Sequence, residues 1–271
     1  MNQTGTRRIG LVAGSGEIPL YFVKKACEKG IRIISVSFTP EIAEQLSPFV
    51  ETGYCIGIGR PNKMFKTMKE EQVKEIMILG KVDKKVIFQP SLFDLRALKF
   101  FKRLKSHEDR SLMEGVIEEL EQEGFTLLDQ KALMPELFPG KGVLTRHSLG
   151  KRETADIEFG LPIARKLADM EIGQTLIVKN QTVVAVEAVE GTDQAIDRGC
   201  ALSRGKCVAV KVSRTDQDYR YDSPGVGPRT LERLIAGGAA ALAIEADRVM
   251  IVDRERTVEM ADRAGLAIVS V

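Results

Sequence analysis

The sequence has no tryptophan and only two histidines, His107 and His147. They stand far apart and lack HExxH spacing, so a histidine-built zinc site has no support. A Ser-His-Asp triad has no local support either, and acid–base work falls to carboxylates. The four cysteines (Cys27, Cys55, Cys200, Cys207) form no CxxC pair. Such sparse thiols suit a reducing cytoplasm better than a disulfide framework. Charge of one sign is also missing: 40 basic against 38 acidic side chains leave a net +2. That provides no counterion-release drive for a dedicated nucleic-acid binder, and no nucleic-acid partner is expected. No apolar run is long enough to cross a bilayer. The best, IAGGAAALAIEA, is short and diluted with glycine. The start, MNQTGTRR, leads into IGLV without a signal-peptide core. The expectation is a soluble, cytoplasmic, bacterial-type protein.

What is present is a strand–helix rhythm. A length of 271 residues favours two domains. RIGLVAG, IRIISVSF, CIGIG and EIMILG read as buried strands. Between them lie helical runs opened or stopped by Pro19, Gly30 and Pro61. This alternation predicts an α/β fold with an N-terminal doubly wound, parallel, Rossmann-like sheet. Two helical runs follow, LFDLRALKFFKRL and RSLMEGVIEELEQEG, and TLLDQ is a candidate further strand. The proline- and glycine-rich LMPELFPGKGVLTRHSLG breaks the pattern. The expected division is 1–132 for the first domain, 133–149 for a linker, and 150–271 for a second α/β domain that carries catalysis. The second half opens with a long helix, KRETADIEFGLPIARKLADM, then a hairpin around Asn180 and Gln181. TLERLIAGGAAALAIEA reads as one helix, and LAIVSV as the final strand.

Several stretches suit phosphate chemistry. AGSGE (Gly14, Ser15, Gly16) follows the first strand and opens the first helix, where an open parallel sheet binds ligands. It is neither GxGxxG nor a Walker loop, and a tight turn that binds nothing is the competing explanation, but open parallel sheets rarely leave that edge idle, which favours a ligand. Gly80 and Lys81 end the fourth strand at the same edge and offer a cation, whereas Lys84 and Lys85 read as a solvated charge run. Tyr21 and Lys25 form a YxxxK pattern on the first helix, which we attribute to chance.

The most charged loop is SRTDQDYRYDSPGVGPRT, residues 213–230. Extended, it puts Asp216, Asp218, Arg220 and Asp222 on one face and Tyr219 and Tyr221 on the other. Asp218 and Asp222 are then candidate Mg²⁺ ligands, and Arg220 a candidate substrate contact; a solvated loop of Asp–Arg pairs is the competing explanation. A second acidic cluster, VEAVEGTD, adds Glu187, Glu190, Thr192 and Asp193. Glu190 and Asp193 are candidate metal ligands, and Thr192 a substrate contact or helix cap. Lys211, ending CVAVKV, is a candidate catalytic cation. Two acidic clusters converging beside a lysine would fit phosphoryl chemistry.

The stretches GLVAGSGEIPL, ILGKV, PELFPGKGVLT, DIEFGLPIARKLADMEIGQTLIVK, AVEAVEGTDQAI and QDYRYDSPGVGPRTLE go further. Through them the chain resembles, nearly end to end, the UDP-2,3-diacylglucosamine pyrophosphatases of lipid A biosynthesis, of the LpxI type. The resemblance implies an Mg²⁺-dependent hydrolase that splits the substrate's pyrophosphate into UMP and 2,3-diacylglucosamine 1-phosphate (lipid X). It implies a substrate held between two domains and a catalytic aspartate at Asp222. The family usually reads Pro-Thr-Val-Gly where this chain has Gly225 in place of the threonine. In the expected mechanism Asp222, with Asp218 or an acid of EGTD, binds Mg²⁺ or orients water, and Lys81 or Lys211 stabilises developing charge.

Two acyl chains need apolar surface. Phe100, Phe101, Leu104, Met134, Leu137 and Phe138 are candidates, although plain core packing explains each of them. Lys99, Lys102, Arg103 and Lys105 beside the aromatics make peripheral contact with the inner membrane a further expectation. Two other functions compete. A non-catalytic module binding a UDP-sugar would be indifferent to Asp222→Asn. An NAD(P)-dependent oxidoreductase needs an acid ending the second strand, where only Glu41 is near, after a proline.

Overall fold

The structure, a computed structural model, describes residues 7–82, 93–103 and 109–271. Lys84, Lys85, Leu104, Lys105 and His107 lie outside the described residues. The chain divides into two units, Met1–Leu133 and Met134–Val271.

The first unit runs β1 (Arg8–Ala13), α1 (Glu17–Glu28), β2 (Arg32–Ser37), α2 (Pro40–Leu46), β3 (Thr52–Cys55), α3 (Pro61–Glu70), β4 (Glu75–Leu79), α4 (Leu95–Arg103), α5 (Asp109–Gln122), β5 (Thr126–Leu127) and α6 (Gln130–Leu133). Its five strands are parallel, in the order β3-β2-β1-β4-β5. The central β1 buries Ile9, Leu11, Val12 and Ala13, the continuous apolar run of a strand covered on both faces. Pro40 and Pro61 sit at the first positions of α2 and α3, where a missing N–H costs nothing. The third strand forms on Thr52–Cys55 rather than on CIGIG. Thr52 to Cys55 take the register opposite Ile34 to Ser37, and Ile56 only adds an amide bond to the Ser37 carbonyl.

The second unit runs β6 (Gly142–Val143), α7 (Lys151–Asp169), β7 (Thr175–Lys179), β8 (Thr182–Val186), α8 (Thr192–Ser203), β9 (Val208–Lys211), β10 (Gly225–Val226), α9 (Pro228–Ala236), β11 (Ala241–Ile244), β12 (Met250–Ile251), α10 (Arg254–Ala264) and β13 (Ala267–Ser270). Six strands form a mixed sheet in the order β6-β13-β11-β9-β7-β8, and β10 pairs with β12 beside it. β9, β11 and β13 are parallel; β7, β8 and β6 run antiparallel to their neighbours. Leu176, Val178, Val208, Val210, Ala241 and Val269 pack on one face with Ile157, Ala164 and Ala168 of α7. Ile177, Ala209, Leu242 and Ile268 pack on the other with residues of α8, α9 and α10. Burial of each Leu or Ile there contributes about 1.5–3 kcal/mol. The β7–β8 hairpin turns at Asn180 and Gln181, both at positive φ, and buried Asp156 of α7 accepts both turn amides at 3.1 and 2.6 Å.

Two sequence expectations change here. TLERLIAGGAAALAIEA is not one helix: α9 ends at Ala236, Gly238 turns the chain at φ +66, and ALAI becomes β11, a strand interior to the sheet. An alanine-rich run carries no alternation to mark it as a strand buried on both faces. Part of the stretch 133–149, read as a linker, is a structured margin of the second unit. β6 pairs with β13, and the Pro139 carbonyl accepts bonds from Ser270 Oγ (3.0 Å) and the Asp247 amide (2.9 Å).

Candidate active site

In the first sheet the strand order reverses between β1 and β4, where doubly wound sheets receive ligands. The loops after those two strands are stitched together there. The Gly14 amide donates to the Leu79 carbonyl (2.8 Å), and Ser15 and Lys81 exchange main-chain bonds of 2.9 and 2.7 Å. Ser15 Oγ also bonds the Lys81 carbonyl. A Cβ on Gly14 would lie 2.5 Å from the Lys81 carbonyl oxygen, and one on Gly80 2.7 Å from Gly14. The structure thus brings Gly14, Ser15, Gly80 and Lys81 together, but the Gly14 and Ser15 amides already bond protein carbonyls. A ligand is left with Gly16, the uncapped start of α1 and the exposed Lys81 side chain.

The second sheet gathers side chains instead. The carboxyl ends of β9, β11 and β13 share an edge with the amino end of β7, placing Lys211 opposite Thr175. Lys211 is only 5% exposed. Its ammonium donates to Thr175 Oγ1 at 3.1 Å and to Thr192 Oγ1 at 2.9 Å. Thr192 opens α8 after Gly191 and donates in turn to Glu187 Oε1 at 2.7 Å. Glu187 Oε2 lies 3.9 Å from the Lys211 nitrogen and is buried without a hydrogen-bond partner. A buried ammonium needs such company, because desolvation penalises an unpaired charge by several kcal/mol.

The loop after β9 is not extended. The Asp222 amide bonds back to the Asp218 carbonyl at 3.2 Å, so the expected row of carboxylates on one face does not form. Local pairing competes with the extended chain: Asp218 closes on Arg220 through both carboxylate oxygens. Asp222 instead points one oxygen, Oδ2, at Arg214 (3.0 Å) and Gln217 (2.8 Å) while its side chain stays 46% exposed. Gln217 is steadied by Gln174 at 2.9 Å. Arg214 also faces Glu171 at 3.7 Å. Behind the loop, Glu245 accepts from the Ser213 amide (3.0 Å) and Arg165 (2.9 Å), and Arg248 reaches the Arg214 carbonyl. Tyr219 bonds Ser213 Oγ and the Arg248 carbonyl and packs edge-on against Phe138. At the loop's base the Thr215 amide, then its hydroxyl, hold the Asp169 carboxyl below its usual range.

The expected set of metal ligands is not assembled. Asp193 pairs with Arg229 (2.8 Å), Glu190 with Arg198 (2.6 Å) and Asp218 with Arg220 (2.7 Å). Among the described residues no group of three His, Cys, Asp or Glu is placed to hold an ion. Arginines nearer in space pair with Asp193, Glu190 and Asp218, while Glu187 turns to Thr192 and Lys211. Asp222 differs, since Oδ2 is held and the rest of the carboxylate faces solvent. Sequence reasoning missed Arg214, Gln217, Thr175 and Glu245. Arg214 lies within the charged loop, but Thr175 and Glu245 come from distant strands and carry no local signal. A surface groove of about 750 Å³, lined by His147, Arg146 and Arg254 among others, shares no lining residue with this network.

Residues 8–137 match the LpxI N-terminal domain, and residues 140–269 the LpxI C-terminal domain. The UDP-2,3-diacylglucosamine pyrophosphatase LpxI of Caulobacter vibrioides is 32% identical over 278 aligned positions, covering 98% of this chain and 98% of that protein. The chain belongs to the LpxI family. Likenesses to solved structures are faint. A UDP-glucose 4-epimerase of Thermotoga maritima with UDP-glucose is 14% identical over 54% of this chain and 42% of that one, with a TM-score of 0.30. A biotin carboxylase–ATP-analogue complex of Campylobacter jejuni is 14% identical over 72% and 42%, at 0.26. Scores that low support no statement about fold or ligand. The resemblance to the LpxI type, and the α/β class with a Rossmann-like first sheet, both hold. At Gly225 a Cβ would meet Met250 Cγ at 2.7 Å across the β10–β12 pair. Among the described residues no helix is long and apolar enough to cross a membrane.

Proposed function

We propose that this protein hydrolyses the pyrophosphate of UDP-2,3-diacylglucosamine, the substrate in the name of its Caulobacter relative, and releases UMP and 2,3-diacylglucosamine 1-phosphate. The observation that carries this is Asp222, half-exposed and aimed by Arg214 and Gln217, at the position the family's catalytic aspartate matches. A carboxylate oriented through one oxygen can accept a proton from water on the other. Water adds to one phosphorus, the bridging P–O bond breaks, and the leaving phosphate keeps the bonding electrons. Arg214 orients Asp222 through its 3.0 Å contact with Oδ2.

Lys211, with the Thr192 hydroxyl and the uncapped first turn of α8, offers positive potential for the charge that develops on phosphate oxygens. Mg²⁺ fits at Asp222, because this ion needs only one or two carboxylates together with substrate phosphates; bound there, it would neutralise phosphate charge. Asp218, Asp193 and Glu190 fit it less well: each is paired with an arginine, as Asp222 is, but their carboxylates are markedly less exposed. The nucleotide end belongs to the first unit's Gly16–Lys81 edge in this reading, and the chemistry to the second.

The test is UMP release from UDP-2,3-diacylglucosamine, with Mg²⁺ and with EDTA, for wild type and Asp222→Ala. Release that needs the metal and drops by about 10³-fold or more in the variant, with substrate binding retained, is expected. A near-normal kcat for Asp222→Ala would sink the assignment of that residue. No release by the wild type would sink the activity.

A further inference from the structure

Three large apolar side chains of the second unit stand in water close to the charged network: Met170 (70% exposed), Ile172 (40%) and Val189 (105%). Single exposed apolar residues need no explanation, but these three are gathered by the loops that build the site. Met170 and Ile172 flank Glu171, whose carboxylate faces Arg214, the guanidinium that aims Asp222. Ile172 is two residues from Gln174, which steadies Gln217. Val189 tips the turn closed by the Gly191 amide on the Ala188 carbonyl, three residues before Thr192.

The two turns are pressed together. A Cβ on Gly173 would lie 2.1 Å from the Glu187 carbonyl oxygen, and the Glu187 amide donates to Thr175 at 2.9 Å. Apolar tips and charged network are therefore two parts of one rim. By contrast Leu202, 66% exposed, sits near the far end of α8, away from this rim.

We infer that Met170, Ile172 and Val189 are the surface that receives the substrate's acyl chains and sets the preference for a diacylated sugar. This rests on the proposed activity and deepens it. In that substrate the acyl groups sit on carbons 2 and 3 of the sugar, one and two bonds from the carbon that bears phosphate, so apolar surface must begin near the phosphate site. The rim meets that demand, and covering it with hydrocarbon removes three apolar side chains from water.

The experiment compares wild type with the triple variant Met170→Ser/Ile172→Ser/Val189→Ser. Long-chain UDP-2,3-diacylglucosamine and its diacetyl analogue are assayed in the same mixed micelles. The ratio of kcat/KM, long-chain over diacetyl, is expected to fall about 30-fold in the triple variant, about threefold per side chain. An unchanged ratio overturns the inference, as does an equal fall on both substrates, which marks a merely structural role. Flotation with substrate-free vesicles of phosphatidylethanolamine and phosphatidylglycerol separates a second source of hydrocarbon. Loss of vesicle binding with an unchanged ratio would make the rim a bilayer contact instead. Should the wild type hydrolyse neither substrate, the activity fails and the rim is judged by affinity for 2,3-diacylglucosamine 1-phosphate. A roughly 30-fold weaker Kd in the triple variant sustains it, and equal or absent binding removes it.

Discussion

The two sheets end in opposite ways. The ligand-receiving edge of the first is closed by main chain, with Gly14 against Gly80 and Ser15 paired to Lys81. The corresponding edge of the second is crowded with side chains: Lys211, Glu187, Arg214, Asp222, Glu245 and Arg248. A glycine-rich loop after a first strand looks like a phosphate cradle in both its composition and its position. Here close packing of two loops already demands Gly14 and Gly80, because a Cβ on either would strike main chain of the other loop. A charged loop that looks merely solvated is, in contrast, folded around ion pairs and amide bonds that aim one carboxylate. Composition misleads in both directions, and what separates the cases is where the hydrogen bonds go.

The sharpest way to break this contrast is Lys211→Met. Removing the buried cation should lower kcat by about 10²–10³-fold. Fold stability should fall by about 3–5 kcal/mol, since Glu187 is left as a buried carboxylate without its cation. Normal turnover in this variant would leave the second edge without a phosphate-stabilising group.

Gly80→Ala tests the other side. With φ at +89 and backbone 2.7 Å from the new Cβ, it should destabilise the first unit by about 2–4 kcal/mol. A urea midpoint equal to that of wild type would mean that the loop has slack, and that its glycines serve something other than packing.

Acid sharpens the comparison next. The folded pKa of Asp169 lies below its ordinary value near 3.8, so its ionised form stabilises the loop base above that pH and this is lost as pH falls through the lowered value. Amide protection at Thr215, followed by hydrogen exchange, should decline as pH falls from about 4 toward 2, and Asp169→Asn should flatten that profile.

The smallest effect is expected for Glu190→Ala. Its partner is Arg198 at the surface, so activity should change less than about threefold and stability by less than about 1 kcal/mol. A tenfold or larger loss, together with a loss of Mg²⁺ response, would show that the acidic clusters rearrange into a ligand set on substrate binding.

Much of the fold was legible because its signals are local. Buried strands read as apolar runs, helices open on Pro40 and Pro61, and Asn180–Gln181 mark a hairpin. β11 was not legible, since ALAI buried on both faces looks the same in a helix. In the site, Lys211 stood out as a charge ending an apolar run, and Asp222 through the stretch that carries the family resemblance. Their partners did not. Thr175 meets Lys211 through strand register 36 residues away, and Glu245 meets Ser213 from 32 residues away.

Sequence by itself therefore determined the alternation of elements and the family, because each is written in contiguous residues. Tertiary structure alone decided which charges meet. It paired Asp218, Asp193 and Glu190 with arginines, left Asp222 half-open, and pressed two glycine loops into one bridge. Pairing between charges depends on separations of a few ångströms between segments distant in the chain, and no local pattern of residues encodes those separations.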